Sequence, residues 1–183
     1  MNNLHLSDLR LGELWYKLRR GVWYALLLLL FLLLQDVVFS HIAPLGVRSM
    51  FLPVLVTAVG LFEGGTRGGW FGLAAGALCD LSLGSQTVMF TVLFPLIGFA
   101  VGFFTDFFLN RRLFSYAVMA VISLLLAAFC QMFGLLIFRG ENSWALWRTA
   151  LLQTLWSVPF LFPAYYICKI LPRREIMQSP SPY

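Results

Sequence analysis

The sequence predicts an all-α, polytopic integral membrane protein of six transmembrane helices joined by short loops. Three observations carry this reading. Hydrophobic residues make up 60% of the 183-residue chain and charged residues only 11%, less than half of the roughly 25% found in soluble domains. The apolar residues fall into long runs, and about 20 such residues suffice to cross a hydrocarbon core. The 13 lysines and arginines gather at the ends of those runs.

Residues 1–21 read as a cytoplasmic, amphipathic N-terminal segment. In "LHLSDLRLGELWYKLRR", Leu4, Leu11, Leu14, Trp15 and Leu18 recur at near-helical intervals, while Asp8, Glu13 and Lys17 fall elsewhere around the turn. That pattern predicts a short helix lying on the membrane surface. The first span, 22–42, begins "VWYALLLLLFLLLQDVV". It outlasts a signal-peptide core, no A-x-A site follows it, and further spans come after, so it reads as a span rather than a cleaved leader.

The run from Met50 to Leu83 is too long for one crossing and is cut by "EGGTRGG". It therefore reads as a tight hairpin of two spans, 48–63 and 67–83. Spans four to six are 87–109, 114–138 and 147–171, closing a membrane domain over 22–171. Residues 172–183 form a cytoplasmic tail whose "QSPSPY" end has too little apolar content to order itself.

Charge orients the chain. Six spans starting from inside place Arg10, Lys17, Arg19, Arg20, Arg67, Arg111, Arg112, Lys169, Arg173 and Arg174 in the cytoplasm, and only Arg48, Arg139 and Arg148 outside. This positive-inside bias sets both termini in the cytoplasm. Trp23, Trp144 and Trp147 stand where interfacial aromatics belong. The net charge of +5 reads as anchoring to membrane lipid; there is no basic face interleaved with polar readers, so no nucleic-acid partner is expected.

Little in the sequence points to catalysis. Cys79, Cys130 and Cys168 lie in apolar runs without CxxC spacing and read as buried free thiols. His5 lies in the surface segment and His41 near the opposite leaflet, so no histidine pair forms. Asp36, Glu63, Asp80 and Asp106 are isolated from one another, with no HExxH or GxSxG arrangement. No catalytic residue, metal ligand or cofactor site is therefore assigned. Asp36 and Ser40 share a helix face, either as a polar contact between helices or as the span's outer end entering water.

The informative stretch is "GLAAGALCDLSLG", residues 72–84. Gly64, Gly68, Gly72, Gly76, Asp80 and Gly84 recur every fourth residue, a ridge without bulk except at Asp80. Small residues at this spacing let a second helix approach closely. A carboxylate inside a bilayer costs a few kcal/mol, so Asp80 either caps the turn that follows or faces a partner group within the protein. "GFAVGFFTDF", residues 98–107, aligns without gaps on "GLAAGALCDL", residues 72–81, matching Gly98, Ala100, Gly102 and Asp106 to Gly72, Ala74, Gly76 and Asp80. The match is either an inverted repeat or a product of biased composition; on both readings spans three and four each offer a glycine face.

"LPVLVTAVGLFEGGTRGGWFGLAAGALCDLSLGS" resembles the rod shape-determining protein MreD family: a proline-led helix at Pro53, a short basic loop, then a G-x-x-x-G-x-x-x-D-[LI]-x-x-G core on Gly72, Gly76, Asp80, Leu81 and Gly84. "LIGFAVGFF", residues 96–104, is similar to the family's next helix. Where the family has a further glycine soon after the core, this chain has Val88 and Met89, which implies a differently shaped outer turn.

The resemblance implies a non-enzymatic scaffold of the bacterial inner membrane. It would bind an MreC-like single-pass protein and, through it, an MreB-like filament and peptidoglycan synthases. The implied fold is similar to the substrate-binding subunit of energy-coupling-factor vitamin transporters. That likeness supplies the alternative of a substrate-capture subunit, with a pocket drawing on Trp70, Trp156 and Tyr165. On the scaffold reading Gly68, Gly72, Gly76, Asp80, Gly84, Gly98, Gly102 and Asp106 form the structural and partner-facing core, and homodimerisation stays open.

Overall fold

The computed structural model describes residues 3–38, 50–83, 88–107, 113–139 and 143–176. Among them every regular element is helical. Helix α1 (Asn3–Leu33) passes into a π-turn (Leu34–Val38) and is followed by α2 (Leu52–Glu63), α3 (Gly65–Leu83) and α4 (Met89–Phe107). Then come α5 (Leu113–Arg139), α6 (Ser143–Ser157) and α7 (Leu161–Ile176), the last two joined by the 3-10 turn Val158–Phe160. The fold is all-α, as predicted.

The amphipathic segment and the first span as far as Leu33 form one unbroken helix. No proline lies within α1 and leucine, a strong helix former, dominates it, so nothing stops the helix at the membrane surface. Pro159, which lacks the N–H that an α-helix needs, sits in the 3-10 turn that interrupts the sixth predicted span. Between α2 and α3 the chain turns on one residue: Gly64 takes φ 86°, a region that side chains resist. The hairpin is thereby tighter than the glycine-rich "EGGTRGG" suggests, and α3 starts at Gly65.

Among the described residues, three helical windows are long and apolar enough to cross a membrane: Leu18–Val37, Leu113–Met132 and Trp147–Ile170. Leu52–Glu63 and Met89–Thr105 are shorter apolar helices. The outer surface is apolar, with Leu26, Leu30, Leu96, Phe99, Leu125 and Phe129 all exposed. A surface so rich in exposed leucine and phenylalanine marks contact with lipid.

The centre of the molecule is α2. Every residue from Met50 to Leu61 is buried, and the helix packs against α1, α3, α4, α5 and α7. A helix enclosed on all sides must be apolar all round, and "LPVLVTAVGLF" is. Phe51 stacks on Phe160 with ring centroids 3.9 Å apart, and Phe62 packs on Tyr165 at 5.3 Å. The one hydroxyl in this run, Thr57, bonds the Pro53 carbonyl at 2.7 Å and Ser123 of α5 at 3.0 Å.

Twelve residues rise only about 18 Å, well short of a hydrocarbon core of about 30 Å. The first turn of α2 accordingly begins inside the bundle, where the amides that lead into it need protein partners. The Phe51 amide donates to Gln35 Oε1 of the π-turn at 3.0 Å, and the Met50 amide to Ser157 Oγ at the end of α6 at 3.3 Å. Pro53 sits in this first turn, where its missing N–H costs nothing.

Candidate functional site

Helices α3 and α4 make the most extensive helix contact in the molecule, and the glycine ladder is its cause. Each step of four along α3 meets a step of four back along α4. A methyl group built on Gly76 would fall 2.6 Å from the Phe90 carbonyl carbon, and one on Gly72 would fall 2.6 Å from that of Phe94. On Gly68 it would lie 2.7 Å from the Gly98 carbonyl oxygen and 2.7 Å from Gly60 Cα of α2. Gly102 sits against the backbone of Gly64 and Gly65. The contact is thus backbone on backbone, and at Gly60, Gly68 and Gly98 three helices meet where no side chain fits. Dispersion between closely opposed backbones drives helix association in lipid, where there is no hydrophobic driving force.

Asp80 continues the ladder one step beyond Gly76, at the point where α4 begins. Instead of backbone, it meets the unsatisfied amides of the first turn of α4. Asp80 Oδ2 accepts from the Thr91 amide at 2.8 Å and from Thr91 Oγ1 at 2.7 Å, and Oδ1 accepts from the Phe90 amide at 3.3 Å. The carboxylate acts as an N-cap supplied by the neighbouring helix, set against the positive end of the α4 dipole. It is buried, and its partners lie within the chain.

The structure brings together Gly68, Gly72, Gly76, Gly98 and Gly102, all buried in this seam, with Asp80 at one end of it. The glycine faces of α3 and α4 are turned to each other. Asp106 lies in the last turn of α4, its side chain outside the described residues, and Gly84 lies outside them altogether. Of the aromatics proposed for a capture pocket, Trp70 and Trp156 are exposed on α3 and α6, while Tyr165 is in the core. The apolar groove between α5 and α6, about 390 Å³, is walled by residues such as Leu125, Phe129, Trp147 and Leu151.

At the opposite end of the seam lies a cluster that sequence reasoning missed. Glu63, the last residue of α2, has a side chain only 1% exposed. Its carboxylate is paired with Arg20 of α1 and with Arg67 of α3, the latter at 3.0 Å, and accepts from Tyr24 Oη at 2.5 Å. A buried carboxylate needs such partners, because an uncompensated charge is costly. The cluster ties α1, α2 and α3 together, aided by Tyr24 against Phe71 edge to face at 6.1 Å. A signal was present: "RGVW" at 20–23 and "RGGW" at 67–70 are near-copies.

Among the described residues no group of three or more His, Cys, Asp or Glu is placed to hold a metal ion. Cys79 and Cys168 are buried thiols and Cys130 is half-buried.

Comparison with protein families finds that the family described as rod shape-determining protein MreD matches residues 17–171. Comparison with curated proteins and with solved structures gives no significant match.

Proposed function

The chain belongs to the rod shape-determining protein MreD family, a membership that carries a role in determining rod shape, and from it we propose a non-enzymatic scaffold of the bacterial inner membrane. In this reading the chain crosses the membrane six times with both termini in the cytoplasm. It holds an MreC-like single-pass protein and, through that protein, links an MreB-like filament to the peptidoglycan synthases of the lateral wall.

The observation that carries the proposal is the backbone-to-backbone seam of α3 and α4. Two helices so joined, with Asp80 capping α4 at one end and Gly102 of α4 set against the backbone of Gly64 and Gly65 at the other, behave as a rigid plate. Because the glycines are used inside the plate, its outer face presents side chains: Leu73, Leu78 and Leu81 on α3, and Val92, Leu96 and Phe99 on α4 are exposed. A single transmembrane helix packs by fitting its ridges between rows of this kind. Rigidity matters here, since a scaffold transmits position only if its own helices hold theirs.

Photo-crosslinking in growing cells tests this reading. A benzoyl-phenylalanine placed at Leu78 or Leu96 is expected to capture the MreC-like protein, and one at Ile122 on α5 is not. Absence of that product at both plate positions, or purification with a bound vitamin-like molecule and an ATPase, would sink the scaffold reading in favour of the capture subunit.

A further inference from the structure

We propose that the groove between α5 and α6 holds one acyl chain of an anionic phospholipid, whose headgroup phosphate is taken by Arg148. The groove exists because small residues lie between large ones. Ala128 and Ala150 are buried beneath it, while Leu125 and Phe129 of α5 and Trp147 and Leu151 of α6 stand exposed along its sides. Every side chain that lines it is hydrophobic.

Its dimensions decide between occupants. The α5 wall runs from Ile122 to Met132, a rise of about 15 Å and so half of a hydrocarbon core of about 30 Å. A volume of about 390 Å³ over that length leaves a mean cross-section of about 26 Å². A helix about 10 Å across needs about 80 Å², so neither a partner's helix nor that of a second copy fills the groove. A polymethylene chain does. It is one carbon thick and touches apolar walls on either side at about 3.5–4.0 Å.

Position and charge select the lipid. The apolar window of α5 ends at Met132 and the one that starts in α6 begins at Trp147, so the groove opens at a membrane interface and reaches toward mid-bilayer. Trp144 and Trp147, three residues apart on one helix face, are both exposed, as indoles at headgroup level are. Arg148 is exposed at the same level, and no hydrogen bond or ion pair occupies it among the described residues. An arginine at the edge of the hydrocarbon sends its guanidinium to the interface, where its forked donors match a phosphate. An unpaired cation at the mouth and an uncharged groove below it together call for an anionic head on an apolar tail.

The test uses the full chain in detergent micelles with a phosphatidylglycerol that carries a diazirine halfway along one acyl chain. After irradiation, peptide mapping should place the label on Leu125, Phe129 or Leu151, about fivefold more of it than with phosphatidylcholine of the same chains, the worth of one arginine near an anionic surface. Arg148→Gln should bring the two lipids level, and Arg148→Lys should restore part of the difference. Leu151→Trp at the rim and Ala128→Leu at the floor should each lower labelling by both lipids, the rim variant without a change in melting temperature. Lys169→Gln, on α7, should leave the preference as it is. Equal labelling of the wild type by the two lipids, an undiminished preference in Arg148→Gln, undiminished labelling in Leu151→Trp, or a dimer whose formation displaces the label would each overturn the assignment. Loss of the MreC-like crosslink in cells has no bearing on this labelling, so the two readings fail separately.

Discussion

Asp80 meets α4 at the one place where a carboxylate in an apolar helix is useful. Upstream on the ladder any side chain would collide with the α4 backbone; one step further on, α4 offers free amides. The sequence left two readings of Asp80 open, a cap for the turn or a partner-facing group, because its hydrogen-bond partners lie beyond the loop and no spacing rule points to them. Replacing Asp80 by Ala removes three hydrogen bonds and leaves the buried Phe90 amide and the half-buried Thr91 amide and hydroxyl without this acceptor. The expected loss is about 1–3 kcal/mol, read as a lower unfolding midpoint in detergent. Asp80→Asn keeps one acceptor oxygen and should lose roughly half as much. Equal stability of Asp80→Ala and wild type would rule out the cap.

At the scale of elements, the same glycine residue type has opposite value at neighbouring positions of α3. A methyl on Gly69 would approach Phe99 Cβ at 3.7 Å and the Pro95 carbonyl oxygen at 3.8 Å, ordinary contacts, whereas on Gly72 it would enter the α4 backbone. Gly69→Ala should therefore stabilise the chain by up to about 1 kcal/mol through helix propensity. Gly72→Ala and Gly76→Ala should destabilise it by about 1–3 kcal/mol through overpacking. Thermal melts of the three variants in one detergent measure this; a Gly72→Ala variant as stable as Gly69→Ala would mean that the seam is not close-packed. The seam was legible because a repeat of four residues in one helix is visible along the chain. The Glu63 cluster was not, since Tyr24 and Glu63 are 39 residues apart and each charge taken alone looks like an ordinary loop residue. The length of α2 was not legible either: its apolar run continues to Met50, but the amides of Met50 and Phe51 are taken by Ser157 and Gln35 and the helix starts at Leu52.

For the whole molecule, the question is how a bundle containing a helix of about 18 Å is set in the bilayer. The Arg20–Glu63–Arg67 cluster marks one end, and Asp80 with the start of α4 marks the other. Between them runs α3, whose 19 residues rise about 28 Å, close to the thickness of the hydrocarbon core. If α3 crosses, Thr66 and Ser82, both exposed, belong to opposite sides. The positive-inside bias puts Thr66 in the cytoplasm. In a background lacking the three native thiols, Thr66→Cys should react with an impermeant maleimide only after the cells are opened, and Ser82→Cys should react in intact cells. Labelling of both from one side would show that α3 turns back within the membrane and would reduce the span count. The reverse pattern would keep α3 as a crossing and invert the protein, moving the arginine cluster to the outer leaflet.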